Sequence, residues 1–162
     1  YFRLEFKRGI KMNFYTNTPD RETIKKELTK AVSSENWKNY FCIDNHGITR
    51  TYTKSEERVL SISEIGISGS CYDEETALSL IHKGLDKNID AITDWIISKK
   101  HALAIRFKFE KLIGYIIIEN KRYETDTVQI YFRRSRSDKT EFGFFVSLVQ
   151  PCIKADALNQ GE

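Results

Sequence analysis

The chain has 162 residues and a net charge of +3, with 40% hydrophobic, 12% aromatic and 30% charged residues. This length suits one domain with a sizeable core, and this composition excludes a disordered chain. No apolar run approaches the roughly 20 residues of a membrane-spanning helix, and the three cysteines form no CxxC pair. We therefore expect a soluble, cytoplasmic protein with reduced thiols, without a disulfide framework, metal or cofactor.

The net charge lies in residues 1–11, which contain four basic residues and one acidic residue. Met12 is the only methionine, and the codons for Lys7-Arg8-Gly9 can form a purine-rich run like a bacterial ribosome-binding site. We therefore expect residues 1–11 to be a translated leader or a cloning remnant. Residues 12–152 are then a single α+β domain, and residues 153–162 are a C-terminal tail.

The first half of the chain predicts one clear helix. Thr18-Pro19-Asp20 is typical of a helix start, with Thr18 as N-cap and Pro19 in the first helical position. The apolar stripe that follows predicts a helix over about 19–33; it consists of Ile24, Leu28, Ala31 and Val32. The aromatic segment Trp37–Ile43 favours a strand, and residues 48–70 indicate a short helical turn near Lys54–Leu60 followed by a loop.

Two further helices and then strands are predicted after residue 72. Asp73 caps a helix that Gly84 ends, and Asn88 caps the next one, whose inward face is Ile89, Ile92, Trp95 and Ile96. Period-two alternation predicts a strand over Leu103–Phe109. Further strands are predicted over Leu112–Glu119, Thr127–Arg134 and Phe142–Val149, with a hairpin loop over Ser135–Thr140. The predicted class is α+β, with N-terminal helices followed by a mostly antiparallel four-stranded sheet.

The charges are polarised along the chain. Residues 99–139 contain eleven basic and five acidic residues, whereas residues 40–75 contain seven acidic and three basic residues. A basic sheet edge is compatible with binding RNA phosphates, but it also protects a sheet against edge pairing, which we favour. The three histidines form no metal pattern, and no P-loop, GxGxxG or GxSxG motif is present.

Four segments together resemble a known family. They are Cys71-Tyr72-Asp73, Asp94-Trp95-Ile96, Ile113-Gly114 and the strand Gly143–Pro151. This combination resembles the RNase A-like toxin domain at the C-termini of bacterial contact-dependent growth inhibition effectors, and it covers about half of the chain. The segment His46–Ser55 resembles the family's histidine-containing segment more faintly. The resemblance implies an RNase A-like fold.

The resemblance also implies where catalytic groups would stand. In such toxins a histidine, an arginine and a threonine and tyrosine on the last strand form the active site. The histidine falls on Thr51, the threonine on Leu148 and the tyrosine on Gln150, while Arg58 matches the arginine at a shorter spacing. RNA cleavage by 2′-OH attack needs a general base and a general acid, and these substitutions supply neither.

The function that follows is an immunity protein that binds and neutralises a cognate nuclease toxin without catalysis. Its acidic segment would face the toxin's basic RNA-binding cleft, through Asp44, Glu56, Glu57, Glu64, Asp73, Glu74 and Glu75. One alternative is an RNase A-like ribonuclease toxin with an altered active site, which uses His46, Arg50 and Arg58 and has RNA as its partner. Another is a small RNA-binding or interaction module. None of the three readings involves a membrane.

Overall fold

The computed structural model describes residues 19–41, 43, 68–135 and 140–153. Numbered within this described part, the elements are α1 Arg21–Val32, α2 Trp37–Tyr40, β1 Ser68–Cys71, α3 Glu74–Lys87, α4 Ile89–Ser98, β2 Ala102–Lys108, β3 Gly114–Ile118, β4 Lys121–Thr125, β5 Thr127–Arg134 and β6 Phe144–Cys152. The α+β class is confirmed. The predicted turn over Lys54–Leu60 lies outside the described residues.

The strands form two antiparallel three-stranded sheets, in the orders β1-β3-β4 and β2-β5-β6. The prediction of one four-stranded sheet is therefore wrong. The polar strand β4 carries no apolar alternation, and it follows β3 through a two-residue turn in which Glu119 and Asn120 have positive φ angles of 49° and 63°. The chain then changes sheet at Asp126, between β4 and β5.

The helix boundaries also differ from the predicted ones. The N-cap of α1 is Asp20, whose carboxylate accepts from the Thr23 backbone N–H at 3.0 Å and from the Thr23 hydroxyl at 2.8 Å. Trp37–Tyr40 is a short helix rather than part of a strand. Asn88 is the N-cap residue of α4 as predicted, but its side chain donates to the Gly84 carbonyl at 2.8 Å and forms no hydrogen bond to the start of α4.

Gly84 does not end α3, which continues to Lys87. Gly84 is buried against the second sheet, and a Cβ atom at this position would lie 2.6 Å from Ile130 Cδ1 and 3.1 Å from Phe107 Cε1. The glycine therefore allows the helix to approach the sheet closely. This close approach, and not the end of a helix, is the role of Gly84.

One core lies between the helices and the inner face of the β2-β5-β6 sheet. Its centre is a set of aromatic rings whose centroids lie 5.4 to 6.4 Å apart: Phe41, Trp95, Phe132, Phe142 and Phe144. Ion pairs of 2.8 and 3.0 Å join Arg21 of α1 to Asp94 and Asp90 of α4.

Arg134 at the end of β5 closes α4. Its guanidinium donates to the carbonyls of Trp95 at 2.7 Å, Ile96 at 2.9 Å and Lys100 at 3.0 Å. The same group lies 4.6 Å from the centre of the Trp95 ring. The Trp95 carbonyl also accepts from the Ser98 hydroxyl at 2.7 Å. Carbonyls in the last turn of a helix have no backbone partner further along it, so this strand side chain fixes the end of α4 against the sheet.

Candidate functional site

A cleft of about 190 Å³ lies between the two sheets, where β6 runs past β1 and β3. A hydrogen bond of 2.6 Å from the Thr125 hydroxyl to the Cys152 carbonyl joins the sheets there. The cleft is lined by Arg106, Ile116, Ile118, Gln129, Tyr131, Gln150, Pro151, Cys152 and Ile153.

The last strand carries both positions singled out by the resemblance, and it brings one of them, Gln150, to this cleft. Gln150 stands opposite Gln129 of β5 and lines the cleft, while Leu148 stands opposite Tyr131 on the same outer face of the sheet. The alternation of side chains along β6 therefore directs both positions away from the core. Neither a leucine nor an amide supplies the hydroxyl that the resemblance implies at its position.

The polar groups of the cleft are arranged for hydrogen bonding. The Arg106 guanidinium donates to Gln129 Oε1 at 2.8 Å. Burial raises the pKa of the Cys152 thiol, and the nearby Arg106 only partly offsets this effect. A thiol that stays protonated at neutral pH is a poor nucleophile and base, and an amide does not titrate. Among the described residues, the cleft thus contains no carboxylate or imidazole for general acid–base catalysis.

Three of the seven acidic residues predicted to bind a partner lie within the described part of the chain. Asp73, Glu74 and Glu75 are exposed at the start of α3, whereas Asp44, Glu56, Glu57 and Glu64 lie outside the described residues. Asp73 is the N-cap and accepts from the Thr76 backbone N–H at 2.7 Å. This hydrogen bond lowers the pKa of the Asp73 carboxyl, and a hydrogen bond with the Thr76 side chain lowers it further. The carboxyl is therefore ionised at neutral pH.

Glu74 and Glu75 lie on an open groove of about 580 Å³ between α2 and α3. Its other lining residues are Trp37, Lys38, Leu78, Ser79 and His82. Trp37 packs on His82, with the ring centroids 4.8 Å apart, and His82 Nε2 donates to the Val32 carbonyl at 2.9 Å. His82 therefore connects α3 to α1.

The residues of the alternative ribonuclease reading, His46, Arg50 and Arg58, lie outside the described residues, as does Thr51. The described part of the chain contains no cluster of three or more His, Cys, Asp or Glu side chains placed to hold a metal ion. Within it, no helix is long and apolar enough to cross a membrane.

The cleft residues of β2 and β5 were not identified from the sequence. Alternation along β2 places Arg106 on the outer face, but its contact with Gln129 depends on the register of two strands 23 residues apart. The Trp37–His82 contact likewise joins segments far apart in the chain. No local pattern predicts either pair.

No family model and no curated protein matches the chain. Among solved structures, the chain is similar to one chain of the crystal structure of a CdiA-CT/CdiI complex from Y. kristensenii 33638. The match has a TM-score of 0.58 and 23% sequence identity, and it covers 67% of this chain and 100% of the other. This protein therefore shares its fold with a chain of that complex.

Proposed function

We propose that this chain is an immunity protein of a contact-dependent growth inhibition system, which binds a cognate nuclease toxin and neutralises it without catalysis. One observation carries the proposal. The outer face of β6 presents Leu148 and Gln150 where the resemblance implies catalytic hydroxyl groups, within a fold shared with a chain of a CdiA-CT/CdiI complex.

The acidic start of α3 supports binding of a basic partner. Asp73, Glu74 and Glu75 are consecutive and exposed, and no ion pair joins them to the rest of the described chain. A nuclease cleft that binds RNA phosphates is positively charged. Complementary charge speeds the encounter of two proteins and fixes their relative orientation. We therefore assign Asp73, Glu74 and Glu75 to the toxin-binding face, together with Asp44, Glu56, Glu57 and Glu64.

The binding face is tested by removing two of its charges. We expect Glu74→Gln with Glu75→Gln to lower the association rate for the toxin encoded beside this chain's gene about tenfold at low salt, and much less at 0.5 M salt. The matched control, Asp86→Asn with Glu119→Gln, removes two exposed carboxylates elsewhere. Equal effects of the two double variants, measured by surface plasmon resonance, would show that this face is not used.

A second function is favoured by the outer face of the β2-β5-β6 sheet. Arg106, Lys108 and Arg133 point to this face, and Arg106 and Arg133 are near neighbours of Tyr131 in the register. Cations beside an aromatic ring form a surface suited to phosphates and stacked bases. The corresponding alternative is an RNase A-like toxin that uses His46, Arg50 and Arg58. Incubation of the pure protein with total RNA separates the two functions, since degradation that His46→Ala abolishes would establish the ribonuclease.

A further inference from the structure

Strand β2 is one outer edge of its sheet, and its free backbone groups can be assigned. The backbone N–H of Phe109 donates to the backbone carbonyl of Asp126 at 2.7 Å, and the backbone N–H of Arg134 donates to the backbone carbonyl of His101 at 3.1 Å. Bonded and non-bonded pairs alternate in an antiparallel ladder. The odd-numbered residues of β2 therefore bond to β5, and the even-numbered ones direct their N–H and C=O groups outward: Ala102, Ala104, Arg106 and Lys108.

Apart from the two cations Arg106 and Lys108, this edge lacks the features that normally prevent strand pairing. It has seven residues, with no glycine, proline or bulge, and no described element lies along its outer side. The other edge, β6, contains a bulge opposite Tyr131/Phe132 and Pro151, and it runs past the other sheet. The edge strand β4 has only five residues, three of them charged. Long, regular edges are the ones that pair with another strand.

The side chains of β2 also leave apolar surface at the edge. Leu103 and Phe107 point towards the core, yet both remain half-exposed, whereas Ile105 between them is buried. A strand added beside β2 would cover both side chains and satisfy the outward backbone groups.

We propose that a second copy of this chain is the occupant, and that the two β2 strands pair antiparallel about Ile105. In this register Leu103 packs against Phe107 of the second copy. Ala104 stands opposite Arg106, and Ala102 opposite Lys108, so every cation faces an alanine. If one β2 strand slides by two residues in one direction, Arg106 of one copy stands opposite Arg106 of the other. If it slides by two residues in the other direction, Lys108 stands opposite Lys100 of the second copy. Directly opposed like charges are destabilising.

The cations of β2 thus select a register instead of preventing pairing. In this proposal, the protection expected from the basic residues acts against the shifted registers, because the Ile105-centred register sets no cation opposite another. The resulting six-stranded sheet is independent of the proposed immunity function, and it involves no residue assigned to toxin binding.

The test changes the charge at Ala104, which is exposed and pairs with Tyr131 inside the monomer. Ala104→Glu places a carboxylate opposite Arg106 of the second copy, and Ala104→Lys places a cation there. Because the two-fold axis repeats each contact, we expect the dimer dissociation constant to fall about two- to thirty-fold for Glu and to rise by a similar factor for Lys.

Sedimentation equilibrium of the full chain over a micromolar to millimolar range measures these constants. The same two substitutions at Ala91, which is exposed on α4, are the matched controls and should leave dimerisation unchanged. A protein that stays monomeric throughout this range overturns the proposal. A dimer whose constant moves in the same direction with both Ala104 variants also overturns it, because its interface is then elsewhere.

Discussion

The contact between Gly84 and the second sheet gives a prediction with two opposing contributions. Gly84→Ala stabilises the interior of α3 by about 1 kcal/mol through helix propensity. The new methyl group, however, would lie 2.6 Å from Ile130 Cδ1 and 3.1 Å from Phe107 Cε1, and overpacking of this kind costs about 1–3 kcal/mol. Since a partly buried ring and a buried isoleucine must both move, we expect a net loss of about 1 kcal/mol.

A second substitution isolates the steric contribution. Ile130→Val removes Cδ1, the atom closest to the new methyl group, and alone should cost about 1 kcal/mol. In the double variant Gly84→Ala with Ile130→Val the methyl group fills the space that Cδ1 leaves, so the loss should be smaller than the sum of the two by at least about 1 kcal/mol. Urea unfolding followed by tryptophan fluorescence measures all four proteins. Strictly additive effects, or a stabilising Gly84→Ala, would refute the close approach of α3 to β5.

Two other substitutions test how the fold is held together. Arg134→Met removes three hydrogen bonds to carbonyls at the end of α4 and the contact with Trp95, so we expect the free energy of unfolding, measured in urea, to fall by about 2–3 kcal/mol; a change below about 0.5 kcal/mol would contradict this role. The folded-state pKa of Asp73 lies below its ordinary value of 3.8. Its ionised carboxylate therefore stabilises the fold fully above about pH 5, and this stabilisation is lost as the pH falls through the folded-state pKa. Asp73→Asn should therefore show a shallower decline of melting temperature between pH 5 and 3 than the parent, and parallel curves would contradict the capping role.

Helices with a clear apolar stripe were predictable from the sequence. The stripes of α1 and α4 and the cap at Asp73 are local signals, since each depends on residues within a turn or two of each other. The strand β5 was predicted with its observed limits for the same reason. Gly84 was misassigned because its role depends on Ile130, a residue 46 positions away.

The division into two sheets was not predictable in the same way. Strand β1 consists of four small residues, and β4 is mostly polar, so neither shows the alternation that marks a strand with one buried face. The cleft follows from this division, because Gln150 and Arg106 line it only when β3 lies across the outer face of the second sheet. The resemblance placed Leu148 and Gln150 on the last strand. Their neighbours Tyr131 and Gln129 were not predictable, because they depend on the register between β5 and β6.

Titration of the cognate toxin's ribonuclease activity with this protein tests the proposed function most directly. The toxin is the one encoded beside this chain's gene, and cleavage of total RNA is the readout. We predict that toxin activity falls linearly to zero at one equivalent of this protein, and that this protein alone leaves RNA intact. Undiminished toxin activity at excess protein, together with RNA degradation by this protein alone, would contradict the immunity function.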